Sequence, residues 1–141
     1  MLGVDLGSLV LLKYAGVYGD YINGMILLGT CMKNSFYYRM KMIVDFNILL
    51  HGQMNHSRVI KKAIDLFLQR NLNGNYKMTN TKEVNLYMED PLTDFVYTNQ
   101  AYRDILDYIK YTSDEEHLKQ IPQYLPVYLL SGGFDNLTRN G

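Results

Sequence analysis

Hydrophobic and polar residues follow two different periods along this chain. Apolar positions recur every three or four residues in several stretches, which is the pattern of amphipathic helices. These stretches cover residues 7–18, 36–50, 57–69, 81–88, 98–111 and 113–121. Two continuous apolar runs beside glycines, residues 24–30 and 125–133, instead predict strands that are buried on both faces. Helices alternating with buried parallel strands predict an α/β fold.

Polar residues mark where several helices should begin. Ser57 can cap the helix that follows it, and either Thr98 or Asn99 starts the helix over residues 98–111. Ser113 is followed three residues later by Glu116, which is the spacing of a capping box. Each of these residues offers a side-chain oxygen to backbone N–H groups that the first helical turn leaves unpaired.

The stretch Gly3-Val4-Asp5-Leu6-Gly7 has the frame of Gly-x-Ser-x-Gly, with aspartate in the place of serine. That frame builds a sharp strand-to-helix turn in which the central residue is strained and exposed. The two glycine positions of the frame lie close to neighbouring backbone, where a side chain would collide. Gly3 and Gly7 are therefore both expected to be needed for space. An ordinary strand-to-helix turn also fits two glycines four residues apart. The order of the elements, with an acidic residue at Asp135 after the last strand, favours a catalytic turn.

Composition narrows the range of partners. The 141 residues are 48% hydrophobic, enough for one domain with a buried core, and 14 basic residues balance 14 acidic ones. A chain without a basic excess is a poor nucleic-acid binder. One cysteine and three histidines form no zinc-site spacing. The apolar run at residues 9–12 is too short to span a bilayer, and the first residues lack a secretory signal, so a cytoplasmic location is expected.

Three longer segments resemble one family of enzymes. The first segment, residues 3–30, is similar to three consecutive parts of the lysophospholipase and monoacylglycerol lipase group, the serine aminopeptidase-like α/β hydrolases. These parts are the strand-to-helix turn that carries the nucleophile, called the elbow, then the Tyr-Gly-Asp turn and the strand that follows it. The sequence of this segment is GVDLGSLVLLKYAGVYGDYINGMILLGT. Residues 87–106, YMEDPLTDFVYTNQAYRDIL, resemble the segment by which the chain returns from the lid of that family. Residues 121–136, IPQYLPVYLLSGGFDN, resemble its strand and acid turn. The resemblance implies part of an α/β-hydrolase fold, with parallel strands, flanking helices and a helical lid insertion.

The resemblance also implies how the chain is divided. Residues 1–30 correspond to the elbow, helix and strand, residues 31–97 to a lid-like helical insertion, and residues 98–141 to helices, a strand and the acid turn. Residues 71–80, with four asparagines, predict a polar loop within the insertion. The candidates for an acyl-chain wall in this insertion are Met40, Met42, Ile43, Phe46 and Leu50. Packing against the sheet is the favoured interpretation of these side chains, because an apolar stripe at helical spacing is usually core.

Residue by residue, the resemblance places the family's nucleophile at Asp5 and its acid at Asp135. The backbone N–H of Leu6 takes the place of an oxyanion donor. The family's general-base histidine should follow the acid, whereas the three histidines of this chain, His51, His56 and His117, all precede Asp135. We expect these histidines to be surface residues. No cofactor and no metal are implied, and the residues that bind substrate are unknown.

Three functions stay open on these residues. The first is hydrolysis of carboxylic esters, with a lipid or another small ester as substrate. In this interpretation the chain is a partial gene product, a decayed copy or one part of a protein that a completing polypeptide supplements. It is expected to be inactive alone, because a carboxylate at Asp5 repels the negative charge that develops in acyl transfer. The second is a non-catalytic interaction module of the same fold. The third, less favoured, is a hydrolase in which Asp5 itself attacks carbon and forms an ester.

Overall fold

A computed structural model of the chain describes residues 1–31, 35–64, 82, 85–86, 89–93 and 95–132. The predicted loop at residues 71–80, most of the predicted helix at 81–88 and Asp135 lie outside these described residues. The elements in chain order are β1 (Leu2–Val4), α1 (Leu6–Tyr18), a 3-10 turn (Gly19–Tyr21), β2 (Met25–Leu28), α2 (Ser35–His51), α3 (Asn99–Thr112), α4 (Glu115–Leu118) and β3 (Val127–Leu130). Residues 58–64 are also helical.

The three strands form one parallel sheet in the order β1-β2-β3. Gly3 is in register with Leu27, and Leu27 is in register with Leu129. A parallel sheet aligns the carboxyl ends of its strands along one edge, and helix α1 leaves β1 at that edge. The prediction of an α/β fold with parallel strands is confirmed.

Helix α1 packs against β1 and β2 and closes a small apolar core. The buried members of this core are Leu11, Ala15, Met25, Leu27 and Leu125. Ala15 is fully buried, so the small side chain lets the helix axis approach the strands. The strand predicted within residues 24–30 therefore contributes residues to this core.

The prediction that β2 is buried on both faces is wrong for this structure. Met25 and Leu27 are buried, whereas the alternate residues Ile26 and Leu28 are 40% and 39% exposed. Successive side chains of a strand point to opposite faces, so α1 covers one face only. Strand β3 is exposed along its whole length. A continuous apolar run indicates that a strand can be buried on both faces. Whether it is buried depends on which other elements pack against it.

The chain divides into two compact units, residues 1–37 with 104–141 and residues 38–103. The first unit contains the sheet and α1. The second has its own core, with buried apolar side chains at Met40, Val44, Ile60 and Tyr102. Buried polar groups join this core: Ser57 Oγ donates to Asn47 Oδ1 at 3.0 Å.

Two of the predicted helix caps are confirmed. The Ile60 N–H donates to Ser57 Oγ at 3.2 Å, so Ser57 caps the helical residues 58–64. The Ala101 N–H donates to Thr98 Oγ1 at 3.2 Å, so Thr98 rather than Asn99 caps α3. In both cases the hydroxyl accepts from the third residue of the helix, as a capping residue does.

The predicted cap at Ser113 is wrong. Helix α3 continues to Thr112, and Ser113 Oγ donates back to the Ile109 carbonyl at 2.6 Å. The Asp114 carboxylate instead accepts from the Glu116 N–H at 3.1 Å and begins α4. Helix α4 is also shorter than predicted, ending at Leu118. A serine hydroxyl can satisfy a carbonyl or an N–H, and here the preceding helix uses it.

Candidate active site

Asp5 connects β1 to α1 in an unusual backbone conformation, with φ 55° and ψ −120°. Among the described residues it is the one non-glycine residue with positive φ. Such a conformation costs roughly 1–3 kcal/mol at a residue with a side chain, so the surrounding contacts must impose it. The strained backbone that the sequence frame predicts at this position is present, with an exposed aspartate side chain.

Hydrogen bonds fix the backbone on both sides of Asp5. Its N–H donates to the Leu28 carbonyl at 2.8 Å and so continues the ladder between β1 and β2. Its carbonyl oxygen accepts from the Ser8 N–H at 3.0 Å and from Ser8 Oγ at 2.5 Å. Ser8 is fully buried, so this second bond is shielded from water. The sequence motif gave no signal for the role of Ser8.

Space around the elbow accounts for Gly3 but not for Gly7. A Cβ added to Gly3 would lie 2.6 Å from the Gly7 carbonyl oxygen and 2.8 Å from Ser8 Cα, closer than real Cβ atoms approach backbone. A Cβ added to Gly7 would meet nothing within 4 Å. The expectation that both glycines are needed for space is therefore confirmed at Gly3 and wrong at Gly7. In this structure the close contact is made on the strand side of the turn only.

Leu6 is the first residue of α1, and its N–H has no acceptor within the helix. The N-terminus of a helix carries partial positive charge, which favours an anion there. This is the location at which the resemblance places an oxyanion donor. The neighbouring Asp5 carboxylate brings a negative charge to the same turn, where acyl transfer would develop another.

The carboxyl ends of β1 and β3 lie along the same edge of the sheet with β2 between them. Strands are spaced by about 4.8 Å, so these two ends are about 10 Å apart. The Gly29 N–H donates to the Leu130 carbonyl at 2.9 Å and holds β3 in place up to its end. Asp135 follows beyond Gly132, the last described residue, so its position relative to Asp5 lies outside the described residues.

The structure places the three histidines in different surroundings. His51 and His56 are exposed, as expected, and His56 Nδ1 is hydrogen-bonded to the Val96 carbonyl at 2.8 Å. His117 is only half-exposed: its ring stacks on Tyr111 with centroids 3.8 Å apart. The prediction of a solvated His117 in a charged helix is therefore wrong in part. An aromatic neighbour from the preceding helix covers one face of the imidazole.

The Tyr18-Gly19-Asp20 turn fastens the end of α1 to the segment that leads into β3. A Cβ on Gly19 would lie 2.3 Å from Pro122 Cδ, so these two segments of the chain approach each other at a point where only glycine fits. The Tyr124 hydroxyl donates to the Asp20 carboxylate. This hydrogen bond, with smaller contributions from burial and from the negative charge of Asp20, raises the pKa of Tyr124 above its ordinary value of 10.0. The turn thus has a structural use that the motif alone did not indicate.

The candidate wall residues do not share one environment. Met40 is buried and Ile43 is half-buried, whereas Met42, Phe46 and Leu50 are 75%, 59% and 57% exposed. The favoured interpretation, packing against the sheet, is therefore wrong for Met42, Phe46 and Leu50, while Met40 is buried in the core of the second unit. Helix α2 is apolar on its exposed side as well as on its buried side, and spacing alone cannot separate the two.

The part of the chain that the structure describes has neither a candidate metal site nor a membrane-spanning helix. It contains no cluster of three or more His, Cys, Asp or Glu residues that could hold a metal ion. None of its helices combines the length and the apolar character needed to cross a bilayer.

Comparison with solved structures finds the same fold in an enzyme. The chain is similar to a highly thermostable carboxyl esterase from Bacillus coagulans, whose crystal structure contains glycerol, with a TM-score of 0.76 and 16% sequence identity. The match covers 100% of this chain and 48% of the esterase, so the chain spans about half the length of that protein. At this identity the likeness establishes the fold and leaves the activity open.

Comparison with protein families gives a match over the full length. No curated protein is a significant match. The family model described as "Serine aminopeptidase, S33" matches residues 1–141. The chain belongs to the serine aminopeptidase S33 family and has an α/β-hydrolase fold.

Proposed function

We propose that this chain carries the nucleophile turn of a carboxylic ester hydrolase of the lysophospholipase and monoacylglycerol lipase type. In this proposal Asp5 occupies the nucleophile position, the Leu6 N–H serves as an oxyanion donor, and Asp135 is the acid. The substrates of the completed site are esters of lipids or other small carboxylic esters. The chain alone does not perform serine-type acyl transfer, because position 5 has no hydroxyl.

The observation that carries the proposal is the backbone of Asp5. A residue with a side chain keeps a positive φ at a strand-to-helix junction, and the buried Ser8 holds it there with two hydrogen bonds. Strain of this kind is common where a side chain must be presented to a ligand. The family match and the similarity to a carboxyl esterase fold support the same class of chemistry.

We further propose that the general base comes from outside these 141 residues. No histidine follows Asp135 in the sequence, whereas the family's general base follows its acid; His51, His56 and His117 all precede it. A histidine could be supplied by a longer form of the chain or by a completing polypeptide. The hydrolase would then depend on that histidine as the group that removes a proton from a nucleophile or water.

A direct test uses the reading frame and position 5 together. The DNA on both sides of the frame is sequenced for an in-frame extension that encodes a histidine after Asp135. Asp5→Ser is then prepared in the 141-residue chain and in any longer form, and both are treated with a fluorophosphonate probe and with monoacylglycerol. We expect labelling and hydrolysis in the longer Asp5→Ser protein and neither in the shorter one. Absence of both from the longer Asp5→Ser protein would contradict the proposal.

A non-catalytic interaction module is the second candidate, and the exposed sheet favours it. Both faces of β3 and the outer face of β2 are exposed and apolar, with no charged residue in any of the three strands. Exposed apolar strands at the edge of a sheet are sites for pairing with another polypeptide. If the longer form is absent and a bound polypeptide co-purifies with the chain through β1 or β3, this second function replaces the first.

A further inference from the structure

One face of the parallel sheet is apolar across all three strands. Residues that are in register on neighbouring strands point to the same side of a sheet, as do residues two positions apart along one strand. Met25 and Leu27 are buried on the side that α1 covers, so the alternate residues stand on the opposite side. Two rows of three side chains cross that side: Leu2, Ile26 and Tyr128, and Val4, Leu28 and Leu130. We call these six residues the uncovered sheet face.

The uncovered sheet face is exposed at every position. Its least exposed member, Leu28, is 39% exposed, and Leu2 and Tyr128 on the two outer strands are 64% and 60% exposed. The six side chains together expose roughly 600 Å², which is the upper end of the largest apolar patches on single soluble proteins. A patch of this size marks a contact surface for another molecule.

Covering this face requires no new hydrogen bonds. Strand β2 pairs with β1 on one side and with β3 on the other, so the backbone groups of the central strand already have partners. The Tyr128 hydroxyl is the one polar side-chain group among the six residues, and it stands on an outer strand. A partner therefore needs only an apolar surface of similar size.

Charge narrows the choice of partner to a second copy of this chain. None of the three strands contains a charged residue, so nucleic acid or an anionic headgroup would find no cation on this face. The whole chain has 14 basic and 14 acidic residues, so two copies do not repel each other at a distance. A second copy brings an apolar face of the same size, with no charge to desolvate.

We propose that two copies of this chain associate by stacking their uncovered sheet faces about a twofold axis. A twofold axis puts the same surface on both sides of the interface, and stacked sheets lie about 10 Å apart. Two such faces would remove about 1,200 Å² from water, which is the lower limit for specific, stable interfaces. The dimer therefore dissociates in the micromolar range. This inference goes beyond the proposed function, since it involves neither Asp5 nor an ester.

Stacking of faces predicts a complex that stops at two copies. Each copy presents this face once, so its partner occupies the face and the complex is closed. Pairing of sheet edges behaves differently, because β1 of one copy on β3 of the next leaves an edge free at each end and growth continues. The size of the assembly therefore separates the two modes of association.

The test is sedimentation velocity of the 141-residue chain over a range of concentrations. We expect the mean mass to rise from one chain to two between about 1 and 100 μM and to rise no further. Leu2→Ser and Tyr128→Ser should each weaken the dimer about tenfold, because every dimer loses two buried side chains. Hydroxyl-radical footprinting of the parent needs no variant: Tyr128 should react at low concentration and be protected at high concentration.

Leu129→Ser is the matched control for Leu2→Ser. Leu129 is 68% exposed, close to the 64% of Leu2, but it is in register with Leu27 and points to the opposite side of the sheet. The control therefore removes a similar apolar surface from outside the uncovered sheet face, and it should change the dissociation constant by less than about twofold. Circular dichroism on every variant checks that it is folded.

Four results would overturn the proposal: a single chain at the highest concentration, growth beyond two copies, equal losses in Leu2→Ser and Leu129→Ser, or a Tyr128 reactivity that does not change with concentration. A different polypeptide that co-purifies with the parent and is lost from Leu2→Ser would also overturn it and assign the face to that polypeptide. Because none of these measurements uses an ester, their failure is distinguishable from a failure of the proposed hydrolase site.

Discussion

The carbonyl oxygen of Asp5 accepts two hydrogen bonds from Ser8, one from its N–H at 3.0 Å and one from its hydroxyl at 2.5 Å. The hydroxyl is fully buried. This pair of bonds fixes the turn in which Asp5 has a positive φ, so the side chain three residues after the elbow controls the shape of the elbow itself.

Ser8→Ala is expected to lower the free energy of unfolding by about 1 kcal/mol, the usual net value of a buried hydrogen bond. Urea denaturation measures it. Ser113→Ala removes a hydroxyl bond at a less buried helix end and should cost less. Equal losses in the two variants would show that the elbow bond has no special weight.

Gly3→Ala is expected to destabilise the chain by about 1–3 kcal/mol, because the new Cβ would press on backbone atoms of Gly7 and Ser8 that cannot move aside. Gly7→Ala is the matched control. Its Cβ meets open space within α1, so it should be neutral or stabilising by up to about 1 kcal/mol. Thermal unfolding of the two variants compares them, and similar melting temperatures would contradict the packing described at the elbow.

Asp5→Gly is expected to raise the free energy of unfolding by about 1 kcal/mol, since glycine adopts positive φ without strain. Asp5→Ala keeps a Cβ in the same backbone conformation and should give no such gain. The difference between the two variants measures the strain directly. If glycine and alanine at position 5 gave the same stability, the backbone of Asp5 would not be strained in solution.

The bond from Tyr124 to Asp20 predicts a change at alkaline pH. Its folded-state pKa is raised, so the stabilisation is fully present below the ordinary pKa of 10.0 and is lost as the pH rises through the raised value. Ultraviolet titration of tyrosinate, taken as the difference between the parent and Tyr124→Phe, isolates this group. Asp20→Ala should bring its titration back to lower pH. An unchanged titration in Asp20→Ala would mean that the hydrogen bond is absent.

Local sequence patterns predicted the elements that depend on neighbours in the chain. The caps at Ser57 and Thr98 and the strand-to-helix turn at Asp5 need only a few consecutive residues, and they are present. The predicted cap at Ser113 is wrong because its hydroxyl can hydrogen-bond to the end of one helix or to the start of the next. Which of the two it bonds to depends on where α3 ends.

Features that depend on residues far apart in the sequence were harder to predict from the sequence. Residues within β2 cannot indicate that one of its faces is uncovered, and spacing cannot distinguish the buried Met40 from the exposed Met42 on α2. The contact of Gly19 with Pro122 joins residues more than a hundred positions apart. The resemblance indicated that this turn mattered, and the tertiary contact supplies the physical reason.

Whether Asp5 acts as a nucleophile is decided by a mass-spectrometric and kinetic comparison of the 141-residue chain with Asp5→Ala on carboxylic esters, including monoacylglycerol. We expect no hydrolysis above background in either protein and no covalent ester on the peptide that contains Asp5, because this turn presents a carboxylate in place of a hydroxyl. Turnover by the parent that disappears in Asp5→Ala, together with an ester trapped on Asp5, would instead make Asp5 a working nucleophile.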